Sequence, residues 1–136
     1  QFGGNLVPYL TKNKVASSVK RIITNMQWVQ KRNPDALFIL IGPSDMLKRS
    51  TKTTYDIIPE LVEEMKKQAA ENGFAFFSMY EAMGGKNSMK IWYDNRMAAS
   101  DLVHFSDKGT ERMAQLLFQN LVEDLLLVQS PDMYKK

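Results

Sequence analysis

Apolar positions along this chain switch between two periodicities. From Val15 to about Lys31, the residues Val15, Val19, Ile22, Ile23, Met26 and Val29 recur at the spacing of an amphipathic helix. Asn33-Pro34-Asp35 stops that helix, because proline disfavours helical backbone in the residue before it. Ala36 to Ile41 is then a continuous apolar run closed by Gly42-Pro43, the pattern of a short strand buried on both faces. Gly42 to Thr53 reads as a polar loop, and a second helix is expected to about Asn72. Its inner face is Leu61, Val62, Met65 and Ala69, with Glu63, Glu64, Lys66 and Lys67 facing outward. Pro59 suits its first turn and Asn72-Gly73 its end. Phe74 to Met79 is a second candidate strand, and residues 80–103 read as a long, weakly periodic connection. A last helix is predicted from about Asp107 to Val128, with Met113, Leu116, Leu117, Leu121, Val122 and Leu125 on one face. At the start, Gln1 to Asn5 reads as a strand tail leaving into a Gly-Gly-Asn turn, followed by a polar loop over 6–14.

Strand tail, helix, strand, helix, strand, connection, helix is the alternation of an α/β protein with a parallel sheet. The expected domain spans residues 1–128, with two full strands, a strand tail and three main helices, and 129–136 as a frayed tail. In open α/β sheets, functional residues gather at the carboxyl ends of strands. That selects the Gly3-Gly4-Asn5 turn, the Gly42 to Met46 turn and the connection leading to His104, all able to face one crevice.

Composition narrows the classes. The 136 residues fit one domain, and 44% hydrophobic with 24% charged content describes a folded globular chain. A net charge of +3, dispersed beside acidic residues on helix faces, gives no footprint for nucleic acid. No apolar run approaches the roughly 20 residues of a membrane helix. The absence of cysteine excludes thiolate metal sites, and a single histidine argues against a multi-histidine one. No metal and no organic cofactor are expected.

That single histidine carries the candidate chemistry. Asp101-Leu102-Val103-His104 stands directly before the last helix, and a short turn can bring carboxylate and imidazole together. Imidazole titrates nearest neutral pH, so it is the usual proton acceptor when a hydroxyl must become a nucleophile. In that role one ring nitrogen is held, commonly by a carboxylate, and the other is free.

Gly3-Gly4-Asn5 after a strand, a buried strand ending in Gly42-Pro43, and Asp101-x-x-His104 ahead of a final helix together resemble the SGNH (GDSL-like) hydrolases. Ile41-Gly42-Pro43-Ser44-Asp45-Met46 is similar to the Gly-Pro-Pro-Asp-type turn of many members. Gly84-Gly85-Lys86-Asn87-Ser88-Met89 with Trp92, followed by Asp101-x-x-His104-Phe105, is similar to envelope and secreted members that remove acyl groups from carbohydrates. The resemblance spans about Gln1 to Leu126. It implies a flavodoxin-like three-layer α/β/α fold and a serine esterase or acylhydrolase acting on short acyl esters, such as O-acetyl groups on polysaccharide or peptidoglycan. His104 would be the general base, Asp101 would orient it, and Asn5 would donate to the oxyanion. Gly84, Gly85, Ser88 and Trp92 would shape the substrate pocket. The compartment implied by the resemblance is the periplasm of the cell envelope, or the exterior by secretion.

The Gly-Asp-Ser block that carries the family's nucleophile is missing. Ser44, Ser88 and Ser106 fit that role poorly, and Ser106 reads as a helix N-cap. The chain is therefore expected to be the C-terminal part of such a hydrolase and inert alone. Its partner would be the N-terminal half that bears the serine. An apolar sheet edge left open beside Gly3 would seek that half or a second copy. The alternative is a non-catalytic α/β module of the same fold that binds carbohydrate or a protein.

Overall fold

A computed structural model describes residues 3–129 of the chain, with side chains as far as Glu123. The described elements are α1 (Val15–Gln30), β1 (Ile39–Ile41), α2 (Ile57–Glu71), β2 (Ala75–Phe77), α3 (Met79–Ala82), α4 (Ser88–Asp94) and α5 (Asp107–Gln129). The two strands run parallel, in register Ile39↔Ala75, Leu40↔Phe76 and Ile41↔Phe77. Alternation along them divides the core into two layers. Leu40 and Phe76 join Val19, Ile22, Ile58, Leu61 and Met65 on the side of α1 and α2. Ile41 and Phe77 join Met89, Trp92, Met113 and Leu117 on the side of α4 and α5. This is the three-layer α/β/α arrangement expected from the sequence.

The periodic helices fall where their apolar faces predict, because burial of those faces selects the helical register. Val15, Val19, Ile22, Ile23 and Met26 of α1 are buried, as are Leu61, Val62, Met65 and Ala69 of α2. The strands are shorter than their apolar runs. Leu37 is 97% exposed, and pairing begins only at Ile39. Among the described residues β1 is bonded to β2 alone. Gln1 and Phe2 of the expected strand tail lie outside the described residues, and the described part turns at once into a 3-10 turn, Gly4–Leu6. Of the expected inner face of α5, Met113 is buried and Leu121 is 37% exposed, while the side chain of Leu125 lies outside the described residues. The expected tail from Ser130 onward lies outside them too.

Residues 80–103 are more ordered than their weak periodicity suggested. Ser78 caps α3 by accepting the Glu81 N–H at 3.1 Å, and α4 buries Met89 and Trp92. Helices of one or two turns present too few apolar positions for a period to be read. No described helix is long and apolar enough to cross a membrane.

Candidate active site

The His104 turn is the tip of a small hairpin. Ala98 bridges Phe105, the Ala99 N–H donates to the His104 carbonyl at 2.8 Å, and the Ser106 N–H donates to the Met97 carbonyl at 3.2 Å. At the tip Leu102 takes a left-handed backbone (φ 61°), uncommon for a residue with a branched side chain, and buries that side chain. The reversal folds the chain around the Asp101 carboxylate. Oδ1 accepts the N–H groups of Val103 at 2.9 Å and His104 at 3.0 Å, and Oδ2 lies 2.7 Å from His104 Nδ1. His104 is 78% exposed, and its Nε2 has no hydrogen-bond partner among the described residues. One nitrogen is thus held by a fixed carboxylate while the other faces outward. Just beyond, Ser106 Oγ donates to the Arg96 carbonyl and accepts the Gly109 N–H, capping α5.

Partial burial pushes the Asp101 carboxyl up, but the hydrogen bonds from the His104 ring and from two backbone N–H groups outweigh it and hold the group at about 2. A carboxyl depressed below its ordinary 3.8 stabilises the fold fully above about pH 4, and that contribution is lost as pH falls towards 2. After allowance for exposure, the contribution is about 1 kcal/mol. Urea unfolding at pH 5 and pH 2 should therefore show a loss on acidification that Asp101→Asn reduces by about that amount.

Asn5 reaches the same place from another element. Gly3 begins its turn at φ 102°, and a Cβ there would stand 3.3 Å from Pro43 Cδ and 3.6 Å from Leu61. Only glycine combines that backbone with so close an approach to the exit of β1. The turn is closed by the Leu6 N–H donating to the Gly3 carbonyl at 3.0 Å, and Asn5 is exposed, its amide without a hydrogen-bond partner among the described residues. Asn5 and His104 line one groove of about 570 Å³ at the carboxyl end of the sheet. Ser44 and Met46 from the loop after β1 line it too, with Ile41, Phe77, Met113 and Leu117 as an apolar wall.

The connection residues expected at a substrate pocket stand elsewhere. Gly84, Gly85, Ser88 and Trp92 do not line the groove. Gly85 packs near the Tyr80 ring, and Ser88 is 1% exposed. Trp92 is core: its Nε1 donates to the Met83 carbonyl at 3.2 Å, and its ring lies 5.2 Å from that of Phe105, which does line the groove. The folding of α4 into the second core layer draws Ser88 and Trp92 inward, while Gly84 stays exposed and Gly85 half-buried.

Asp45 escaped the reading of the sequence. Its side chain is fully buried, and none of the ion pairs among the described residues reaches it. Oδ1 accepts the Thr54 hydroxyl at 2.8 Å and Oδ2 accepts the Met89 N–H at 2.9 Å. Burial pushes this carboxyl up, and the Met89 N–H, the Thr54 hydroxyl and the Met46 N–H offset only part of that. Ser88 Oγ also lowers it from nearby, although no partner lies within hydrogen-bond geometry of that oxygen. Asp45 stands in the Gly42-Pro43-Ser44-Asp45 turn, but nothing local in that turn encodes its buried partners. No group of three or more acidic, histidine or cysteine residues able to hold a metal ion occurs among the described residues.

No family model and no curated protein matches this chain. Among solved structures it is similar to a peptidoglycan O-acetylesterase, with a TM-score of 0.80 and 29% identity, over 94% of this chain and 36% of that one. The chain thus spans about a third of the length of the esterase whose α/β fold it shares, given the 36% coverage.

Proposed function

We propose that this chain is the base-bearing part of a serine ester hydrolase of the SGNH type, acting on O-acetyl groups of peptidoglycan or a related polysaccharide. The observation that carries the reading is the Asp101–His104 pair, with Nδ1 held at 2.7 Å and Nε2 free at a groove shared with Asn5. The esterase likeness supports the same class of substrate.

His104 Nε2 takes the proton of a serine hydroxyl as that oxygen attacks the acetyl carbonyl carbon. The imidazolium then protonates the departing sugar oxygen, and water hydrolyses the acetyl-serine by the same steps. Asp101 keeps Nδ1 protonated and stabilises the imidazolium. The Asn5 amide donates to the oxyanion, a contribution typically of about 3 kcal/mol to the barrier. The nucleophile belongs to a segment outside these 136 residues, since no Gly-Asp-Ser block occurs in them. That segment covers the sheet edge left open beside Gly3, and the chain alone is inert. A peptidoglycan substrate sets the work in the cell envelope or outside the cell.

The test is acetate release from O-acetylated peptidoglycan by the full-length polypeptide. Release is expected, and glycan treated with mild base to remove its esters should yield none. The missing nucleophile block favours a second reading, a carbohydrate-binding module without catalysis. Retention of the glycan without acetate release would support that reading instead.

A further inference from the structure

We infer that Asp45 is a positioning residue for the His104 turn, acting through the hydrogen bond between Leu47 and Leu102. The inference takes its catalytic meaning from the reading of His104 as proton acceptor, but its structural content stands apart from that reading.

A buried carboxylate without a cation is costly unless its oxygens are satisfied, so its partners are held firmly. Asp45 joins two segments. Thr54 Oγ1 donates to it from one, and the Met89 N–H donates from the first turn of α4. Asn87 ties the same segments together, since its N–H donates to Thr54 Oγ1 at 2.7 Å and its Oδ1 accepts the Thr54 N–H at 3.1 Å. Leu47, two residues beyond Asp45, bridges Thr54 and is itself buried. Its N–H donates at 3.0 Å to the carbonyl of Leu102, the left-handed residue between Asp101 and His104. Leu102 adopts an unfavourable conformation that must be imposed by its surroundings. The Leu47 N–H and the burial of both leucines in one core cluster impose it. Fixing Asp45 therefore fixes the peptide on which the Asp101–His104 contact turns.

The only imidazole in the chain is His104, which gives a direct readout without any activity. Nitrogen-15 NMR of labelled histidine, at alkaline pH where the ring is neutral, reports which nitrogen carries the proton. The wild-type chain should show predominantly the Nδ1–H tautomer, which donates to Asp101. Asp101→Asn gives the scale of full release. Asp45→Asn, which offers an amide where two donors converge, should move the signal most of the way to that scale. Thr54→Val should move it in the same direction, and Thr54→Ser, which keeps the hydroxyl, should hold the wild-type signal. Circular dichroism and urea unfolding check the fold. If Asp45→Asn does not fold, the Thr54 pair decides. A wild-type tautomer in folded Asp45→Asn, or in folded Thr54→Val where Asp45→Asn fails, overturns the inference. Failure of the esterase reading would appear in acetate release and leave the tautomer unchanged.

Discussion

Replacing His104 with alanine is expected to lower p-nitrophenyl acetate hydrolysis by the full-length polypeptide by about 10³-fold or more. The size follows from what is lost. A serine hydroxyl is a weak nucleophile at neutral pH, and the only imidazole here stands with one nitrogen held by Asp101 and the other open to the groove. Alanine removes the proposed proton acceptor and leaves Asn5, the proposed oxyanion donor, in place, so a residual rate from oxyanion stabilisation should survive. Because His104 is 78% exposed and supplies little packing, circular dichroism and the urea midpoint should stay close to wild type. Asp101→Asn should also slow the reaction with the imidazole still present, since an amide cannot stabilise the imidazolium. Equal rates in wild type and His104→Ala would remove the histidine from the chemistry.

Gly109→Ala is expected to be the most damaging small substitution for stability near the site. A Cβ at this position would fall 1.8 Å from the Met97 carbonyl oxygen and 2.8 Å from its carbon. Both are backbone atoms, so no side-chain rotation relieves the clash. Overpacking costs about 1–3 kcal/mol and occasionally more, whereas alanine gains at most about 1 kcal/mol of helix propensity over glycine. The net loss should be about 2 kcal/mol, a fall of roughly 8 °C in Tm. The Met97 carbonyl also accepts the Ser106 N–H, so the displacement opens the hairpin that carries His104. Gly4→Ala, with nothing within 4 Å of the added carbon, is the matched control and should change Tm little. An unchanged Tm in Gly109→Ala would show that α5 does not approach Met97 this closely.

Long-period features of the fold and one local polar pair were legible in the sequence, whereas the shortest helices and the long-range polar contacts were not. α1 and α2 announced themselves through apolar stripes that recur over several turns, and β1 and β2 through apolar runs bounded by breakers. α3 and α4 are too short for that signal, although Trp92 and Met89 prove to be core once they form. Asp101 and His104 could be paired from spacing because the contact is local, three residues apart. Asn5 could be joined to them only through the rule that strand ends share a crevice. Asp45 could not be read because its partners Thr54 and Met89 lie 9 and 44 residues away, and no local pattern encodes that meeting. The pocket assignment of Gly84, Gly85, Ser88 and Trp92 comes from resemblance, and a helix as short as α4 offers no period that turns Trp92 inward.

The most direct test of His104 as base for a serine on another segment is covalent labelling of the full-length polypeptide with a fluorophosphonate. The adduct is located by mass spectrometry, and its rate of formation is compared between wild type and His104→Ala. One serine outside these 136 residues should be labelled, at a rate that falls by about 10³-fold without the imidazole. Label on Ser44, which lines the groove, would place the nucleophile within this chain. No adduct at any serine, or one that forms equally fast without His104, would contradict the proposed hydrolase.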